Sequence, residues 1–311
     1  MPNVLITATG GDVGRSISRL MRLHFEELRL VGCDSRESPE ARESVDEFII
    51  APRADASEYL NWMRAIVAEA DISIVIPTSD AELAALASIT DLPMITAGCT
   101  VIEVGQDKLR TARFLASAGI PGPWTVDTFP PVSLPCIIKP RFGQGSKNVL
   151  TCQTTEEAST AWAKVGELGI AQELLIPSDR EVTCAVYRTS SGEVRVVQLL
   201  RKLDGGRTSW ARVIHDDRIQ AQCESIANGL DVRGSINVQL ILTDDGPRIF
   251  EINPRFSSTV AMRDVLGFRD LEWAVSEFLG RGLPEFTGCD VGTTVSRDAR
   301  LQVSLQQQEE R

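Results

Sequence analysis

Residues 236–255 read INVQLILTDDGPRIFEINPR, two apolar-rich runs around Asp244-Asp245-Gly246, the composition of a β-hairpin. A three-residue loop there sets Thr243 opposite Pro247, Gln239 opposite Glu251, Val238 opposite Ile252 and Leu240 opposite Phe250. Strand alternation then gathers an apolar set on one face and Asn237, Gln239, Glu251, Asn253 and Arg255 on the other. Directly opposed side chains have Cβ atoms ~5 Å apart, close enough for Gln239 and Glu251 to share one cation, with Asn253 next along that face. Three oxygen donors carrying little negative charge suit Mg²⁺, which completes its shell with water and phosphate oxygens rather than with an all-protein cage. Arg255 is two residues further on and can pair with a phosphate or a developing oxyanion. A solvated sheet face would carry polar residues at the same positions, so the hairpin alone leaves two readings open.

Phosphate-binding material lies upstream. Lys139 ends the apolar run Cys136-Ile137-Ile138, where an ammonium is costly unless it points into a polar site. Gly143 and Gly145 follow in FGQGSKN, a stretch able to fold backbone N–H groups and Lys147 over phosphates. Lys108 stands at the start of a helical segment, where the dipole disfavours a cation and a nearby anion would account for it. Solvated surface lysines are the alternative for Lys108 and Lys147. No GxxxxGK[ST] segment occurs, which excludes a Walker-type nucleotide loop by pattern.

The elements that must position these residues fall into two regions. Over the first hundred residues, short apolar strands (Val4 to Thr7, Leu28 to Cys33, Ile72 to Pro77, Met94 to Ala97) alternate with amphipathic helices, the rhythm of βαβ units and a parallel sheet. Ligands of such sheets sit beyond the carboxyl ends of the strands, which marks the loops Thr9 to Gly14, with Gly11, and Pro77 to Glu82, with Thr78, Asp80 and Glu82. Asp34, about twenty residues past the glycine loop, invites a dinucleotide reading. Thr9, however, stands where the first glycine of GxGxxG belongs, so a tight turn or a substrate-facing anion site competes with NAD.

A helix from about Asp107 to Ala118 closes at Gly119, and IPGPW links it to an α+β region. That region holds strands CIIKP and IAQELL, a helix from Glu156 to Lys164, a hairpin from Glu181 to Leu200 turning at Ser190-Ser191-Gly192, a helix from Arg218 to Leu230, the second hairpin and two more helical segments. One strand (Thr293 to Val303) and a polar tail end the sequence. The expected divisions are 1–100, 101–185 and 186–311.

Composition restricts the chemistry further. At 311 residues and 43% hydrophobic content the chain can bury a core spanning two or three lobes. A net charge of −11 opposes broad binding to nucleic acid or anionic membrane, so the basic residues act locally. Neither a signal peptide nor a membrane span is evident, and the expected location is the cytoplasm. Seven scattered cysteines without a CxxC pair read as free buried thiols. Two histidines far apart supply too little for a His-rich metal site or a Ser/His/Asp triad.

The ordered set QDKLRTARFLASAGI, CIIKPRFGQGSKNV, AQELLIPSDREVT, INVQL and IFEINPRFS, over about residues 1 to 280, resembles ATP-grasp enzymes, particularly their carbamoyl-phosphate-synthetase-like branch. The resemblance implies an α/β, Rossmann-like parallel-sheet domain followed by a two-lobed α+β ATP-grasp fold with ATP held between the lobes. Lys108 and Lys139 would contact phosphates, the loop of Gly143, Gly145, Ser146 and Lys147 would cover them, Glu173, Leu174 and Leu175 would line the adenine pocket, and Glu181 would take the ribose hydroxyls. Gln239, Glu251 and Asn253 would hold two Mg²⁺, with Mn²⁺ as a substitute, and Arg255 would bind the transferring phosphoryl or the substrate. The chain lacks the large carboxy-terminal domain of biotin carboxylases and the duplicated halves of full carbamoyl phosphate synthetases, so a single-site ligase fits its length better.

The expected reaction joins a small carboxylate to an amine through an acyl phosphate, releasing ADP and phosphate. A phosphotransferase of the same fold and an NAD-dependent oxidoreductase are the alternatives. Substrate specificity is expected from Gly11, from Thr78, Asp80 and Glu82, from Arg207 and Ser209 in the loop Gly205 to Ser209, and from Arg255 and Ser257. A homodimer is left open as the assembly.

Overall fold

The computed structural model of the chain describes residues 2–143, 148–297 and 301–304. An N-terminal unit runs β1 (Asn3–Ile6), α1 (Asp12–His24), β2 (Arg29–Asp34), α2 (Pro39–Glu43), β3 (Glu47–Ile50), α3 (Tyr59–Glu69), β4 (Ile72–Ile76) and α4 (Asp80–Leu86). Its four strands are parallel in the order β3-β2-β1-β4, so the chain winds outward from β1 and then crosses to the other side with β4. Alternation in β1 splits the core: Val4 and Ile6 face Ile17, Leu20 and Met21 of α1, whereas Leu5 faces Tyr59 and Met63 of α3. The strand expected from Met94 to Ala97 shrinks to one parallel bridge between Met94 and Val75, and α5 begins at Cys99.

Helices α5 (Cys99–Gln106) and α6 (Lys108–Ser117) lead into a small sheet of β5 (Thr125–Val126), β6 (Cys136–Pro140), β7 (Leu150–Cys152) and β8 (Gly169–Glu173), with α7 (Thr155–Val165) inserted before β8. The order is β5-β8-β6-β7, all antiparallel, and α7 covers Cys136, Ile138 and Ala171.

The remainder is β9 (Glu181–Arg188), β10 (Val194–Asp204), β11 (Arg207–Ile214), α8 (Asp217–Gly229), β12 (Gly234–Thr243), β13 (Gly246–Asn253), α9 (Val260–Val265), α10 (Asp270–Phe278), β14 (Thr294–Arg297) and β15 (Leu301–Ser304). Its strands form one antiparallel seven-stranded sheet, β13-β12-β9-β10-β11-β14-β15. Strand β9 therefore runs unbroken across residue 185 as part of the large sheet. The tail expected as a single strand from Thr293 to Val303 is two antiparallel strands with Arg297 opposite Leu301, a hairpin that sequence alternation does not distinguish from a straight run.

One face of the large sheet packs Val182, Cys184, Val238 and Ile252 on α8 and on Val101 and Leu115 of α5 and α6. The other packs Ala185, Tyr187, Val197 and Leu199 on α9, α10 and the α1 face of the N-terminal unit, in one continuous core. That shared core fixes the N-terminal unit against the large sheet. Gly105 of α5 is required by closeness: a Cβ there would lie 2.7 Å from the Ile252 carbonyl oxygen.

Candidate active site

The two sheets face each other across a cleft of about 630 Å³, closed at its third side by Asp12 and Val13 of the N-terminal unit. Five cations (Lys108, Lys139, Arg201, Arg207 and Arg255) and four carboxylates (Asp12, Glu173, Glu181 and Glu251) line it. A chain of net charge −11 thus concentrates a local positive excess where an anion would bind.

The floor comes from β12 and β13. Asn237 pairs with Asn253, Val238 with Ile252 and Gln239 with Glu251, as the sequence pattern requires. Nearer the turn the register differs from expectation: Thr243 faces Gly246, so the loop is only Asp244-Asp245, and Leu240 faces Ile249 rather than Phe250. A β-bulge at Phe250 reconciles the shorter loop with the outer register. The extra residue releases Phe250 from the apolar face and turns it into the cleft, while Ile249 takes its place in the core. Asn237 does not reach the cleft; it is buried and accepts a hydrogen bond from Thr183 Oγ1 at 2.8 Å.

Gln239, Glu251 and Asn253 all line the cleft, and among the described residues their side chains make no hydrogen bond. Two amide oxygens and one carboxylate left uncommitted in one place fit a hard divalent cation whose other ligands are supplied by phosphate and water. No cluster of three His, Cys, Asp or Glu occurs among the described residues.

The roof comes from β6 and α6. Lys139 is buried, with Nζ 2.7 Å from Gln172 Oε1, and Gln172 is oriented in turn by donating to Thr125 Oγ1 at 2.9 Å. Burial pushes the Lys139 ammonium down to about 8, with Glu251 opposing the shift and Lys108 reinforcing it. Lys108 opens α6 directly after its N-cap Asp107, whose carboxylate accepts from the Leu109 and Arg110 amides. The same carboxylate holds Arg141 at 2.7 and 2.6 Å and so ties the end of β6 to the start of α6. Lys108 Nζ donates to the Gly143 carbonyl at 2.6 Å. Gly143 has φ 121°, a conformation that favours glycine. The expected covering residues Gly145, Ser146 and Lys147 lie outside the described residues.

Where β8 leads toward β9, Leu174 and Leu175 line the cleft, but the Glu173 carboxylate is committed to Arg248 of β13 at 3.0 and 2.8 Å and accepts from the Trp124 amide. Only the rest of Glu173 is therefore available to a base. Glu181 opens β9 on the cleft floor and is ion-paired with Arg201.

At the opposite end Arg255 lines the cleft, and Asp80 grips it from the N-terminal unit, Nε to Oδ1 at 2.8 Å and Nη2 to Oδ2 at 2.7 Å. Burial works against the guanidinium charge, and Asp80 outweighs it, raising the pKa above the ordinary arginine value. Asp12, Ser257, Ser258, Gly205, Gly206 and Arg207 complete this end. Arg297 Nη1 sits 2.8 Å from both Asp12 oxygens, and Arg207 Nη1 lies 4.0 Å away.

Not every expected substrate residue reaches the cleft. Gly11 is the N-cap of α1, one residue before Asp12. Thr78 and Glu82 are buried in the N-terminal unit, Thr78 Oγ1 donating to the Thr7 carbonyl at 2.7 Å and Glu82 accepting from Thr7 Oγ1 at 2.6 Å and Ser79 Oγ at 2.7 Å. Ser79 and Glu82 form a capping box on α4, so this loop is a helix start. Asp80 reaches the site only through Arg255, and Ser209 Oγ donates to the Lys202 carbonyl outside the cleft. The glycine loop is equally structural: Asp34 accepts from the Gly10 amide at 3.0 Å, and a Cβ on Gly14 would lie 2.4 Å from the Ala8 carbonyl oxygen. Asp34 is thereby engaged by the loop itself.

A family model described as an ATP-grasp domain matches residues 105–259, and one described as a PylC-like, N-terminal domain matches residues 4–102. The chain is 27% identical to a D-alanine–D-alanine ligase of Mycobacterium tuberculosis, over 71% of this chain and 67% of the relative. The N5-carboxyaminoimidazole ribonucleotide synthetase of Thermus thermophilus superposes with a TM-score of 0.74 at 23% identity, covering 95% of this chain and 82% of its own. The biotin carboxylase domain of 2-oxoglutarate carboxylase from Hydrogenobacter thermophilus, solved with MgADP and bicarbonate, superposes at 0.74 with 16% identity, covering 94% and 73%.

Proposed function

We propose, from the chain's membership of the ATP-grasp family, that it is an ATP-dependent carboxylate–amine ligase that activates a small carboxylate as an acyl phosphate. The observation that carries the reading is the convergence on one cleft of Lys108 and Lys139 from the roof, the uncommitted oxygens of Gln239, Glu251 and Asn253 from the floor, and Arg255 at the end nearest the N-terminal unit. The base would enter at Leu174 and Leu175, with Phe250 and Ile241 beneath it, and the phosphates would run toward Arg255. Two Mg²⁺ ions, replaceable by Mn²⁺, would be held by Gln239, Glu251 and Asn253 and would offset charge on the phosphate oxygens.

In the reaction a carboxylate oxygen attacks the γ-phosphorus, the bond to the β-bridging oxygen breaks and ADP leaves. Lys108, Lys139 and Arg255 stabilise the charge that moves onto the equatorial and leaving oxygens, and their fixed positions supply the preorganisation that water lacks. An amine then attacks the acyl carbon, inorganic phosphate departs with the bonding pair, and the amine loses a proton. No protein nucleophile is needed. Among the described residues the buried cysteines offer none, since burial pushes Cys33 and Cys184 upward and Cys136 to about 11. The mixed charge of Asp12, Arg207 and Arg297 beside Ser257 and Ser258 supports polar substrates entering from the N-terminal side.

The test is a screen of ADP release over carboxylate and amine pairs, with mass spectrometry of the products. ADP formation that requires both partners supports the ligase. A stable phosphorylated product formed without an amine points instead to a phosphotransferase.

A further inference from the structure

The Glu181–Arg201 pair lines the cleft floor, with Glu181 two residues along β9 from Thr183, the residue that faces Gln239. In the β9–β10 ladder Val182 faces Leu200, so the next residues outward, Glu181 and Arg201, oppose each other. Arg201 Nη2 donates to Glu181 Oε1 at 2.5 Å, with side-chain exposures of 9% and 17%. Arg201 is tethered on its other side, where Nη1 donates to Oγ1 of the fully buried Thr208 at 3.4 Å. Glu181's neighbour across β12 is the apolar Ile241. Arg201 is therefore the one polar group that holds this carboxylate among the described residues, and the second Glu181 oxygen makes no hydrogen bond among them.

We infer that Arg201 is a positioning residue: it fixes the Glu181 carboxylate so that its uncommitted oxygen receives the ribose hydroxyls, and it thereby sets a preference for ribonucleotides over deoxyribonucleotides. This rests on the nucleotide-binding part of the proposed function. A carboxylate recognises a diol only if its rotamer is fixed, because both hydroxyl donors must meet it at short range. A glutamate on a strand end facing an open cleft has several rotamers available, and a charge-assisted bond to a tethered guanidinium selects one. The tether through Thr208 links this selection to β11, so it does not depend on the roof.

The experiment measures the Kd of MgATP and of Mg-2′-deoxy-ATP by calorimetry for the wild type, Arg201→Met, Arg201→Lys, Glu181→Gln and the double variant Arg201→Met/Glu181→Gln. The wild type is expected to favour MgATP about 10-fold, the scale of a lost hydrogen bond to a charged group. Glu181→Gln brings the ratio close to one, Arg201→Met does the same with deoxynucleotide affinity little changed, and Arg201→Lys restores part of it. The double variant matches Glu181→Gln, because Arg201 acts through that side chain. Equal loss of affinity for both nucleotides in Arg201→Met, or a further drop of the ratio in the double variant, overturns the inference. If Arg201→Met does not fold, Arg201→Lys decides, a ratio that stays fully at the wild-type value while its polar contact geometry is altered counting against the role. A wild type that binds MgATP without ribose preference overturns this inference alone; one that binds neither nucleotide overturns the nucleotide reading as well.

Discussion

Lys139 carries a charge whose free energy depends on what stands opposite it. In the nucleotide-free protein burial lowers its pKa to about 8 from an ordinary 10.5. The unfolded chain therefore binds more protons than the folded one between those values, so the Lys139 contribution to stability rises with pH through that window. Below pH 8 the buried ammonium costs about 3 kcal/mol, on the scale of 1.36 kcal/mol per pKa unit. A bound phosphate chain removes the cause of the shift by placing negative charge against Nζ, and the pKa returns toward its ordinary value. MgATP binding should then take up a proton above pH 8. At pH 9 about a tenth of the free protein holds Lys139 charged while the complex keeps it charged, so affinity should be about 10-fold weaker than at pH 7, or ~1.4 kcal/mol. Calorimetry at both pH values, in buffers of different ionisation enthalpy, reads the affinity and the proton count together. Lys139→Met should bind more weakly at pH 7 and lose this pH dependence, without a loss of stability in the absence of nucleotide. The same dependence in wild type and Lys139→Met, or binding at pH 9 without proton uptake, would rule out a Lys139 ammonium paired with the phosphate chain.

Glu251→Gln removes the single carboxylate of the Gln239, Glu251 and Asn253 set and should lower kcat with MgATP by about 100-fold with an unchanged circular dichroism spectrum, whereas unaltered turnover would clear Glu251 of a metal role. Asp80→Ala removes the bidentate carboxylate from Arg255, whose side chain is 13% exposed and keeps its bond to the Phe256 carbonyl, and urea denaturation should report a loss of about 1–3 kcal/mol; an unchanged midpoint would clear the pair of a structural role. Gly105→Ala drives a methyl group to 2.7 Å from the Ile252 carbonyl and should cost about 1–3 kcal/mol by pushing α5 off β13; an unchanged urea midpoint would mean that the helix yields freely.

The parts of the site that follow local rules were legible in the sequence. Alternation paired Gln239 with Glu251 and Asn237 with Asn253, and the apolar run before Lys139 marked an ammonium that the fold buries against the Gln172 amide oxygen. The bulge was not legible, because Asp244-Asp245 and Asp244-Asp245-Gly246 are equally good turns and the choice shifts only the residues between turn and site. Phe250 was misassigned for that reason. The loop Pro77 to Glu82 was marked by its place beyond the carboxyl end of a parallel strand, although Ser79 with Glu82 three residues later is the signature of a helix cap. Asp107 was open to the same rule as an N-cap, but its grip on Arg141, 34 residues away, was not. The commitment of Glu173 to Arg248 and of Arg255 to Asp80 joins residues 75 and 175 apart, distances over which only the packed fold specifies partners. Arg201 was within reach: extending the hairpin about Ser191 by one pair beyond Leu200 sets it against Glu181.

In the proposed reaction ATP activates a carboxylate by phosphorylating it before the bound amine attacks the acyl carbon. The direct measurement uses an ¹⁸O-labelled carboxylate substrate found by the screen and follows the label into released inorganic phosphate by mass spectrometry. Attack of the carboxylate oxygen on the γ-phosphorus leaves one labelled oxygen in each phosphate released, with ADP formed in equal amount and only when the amine is present. Phosphate free of label, or AMP and pyrophosphate as products, would contradict the account.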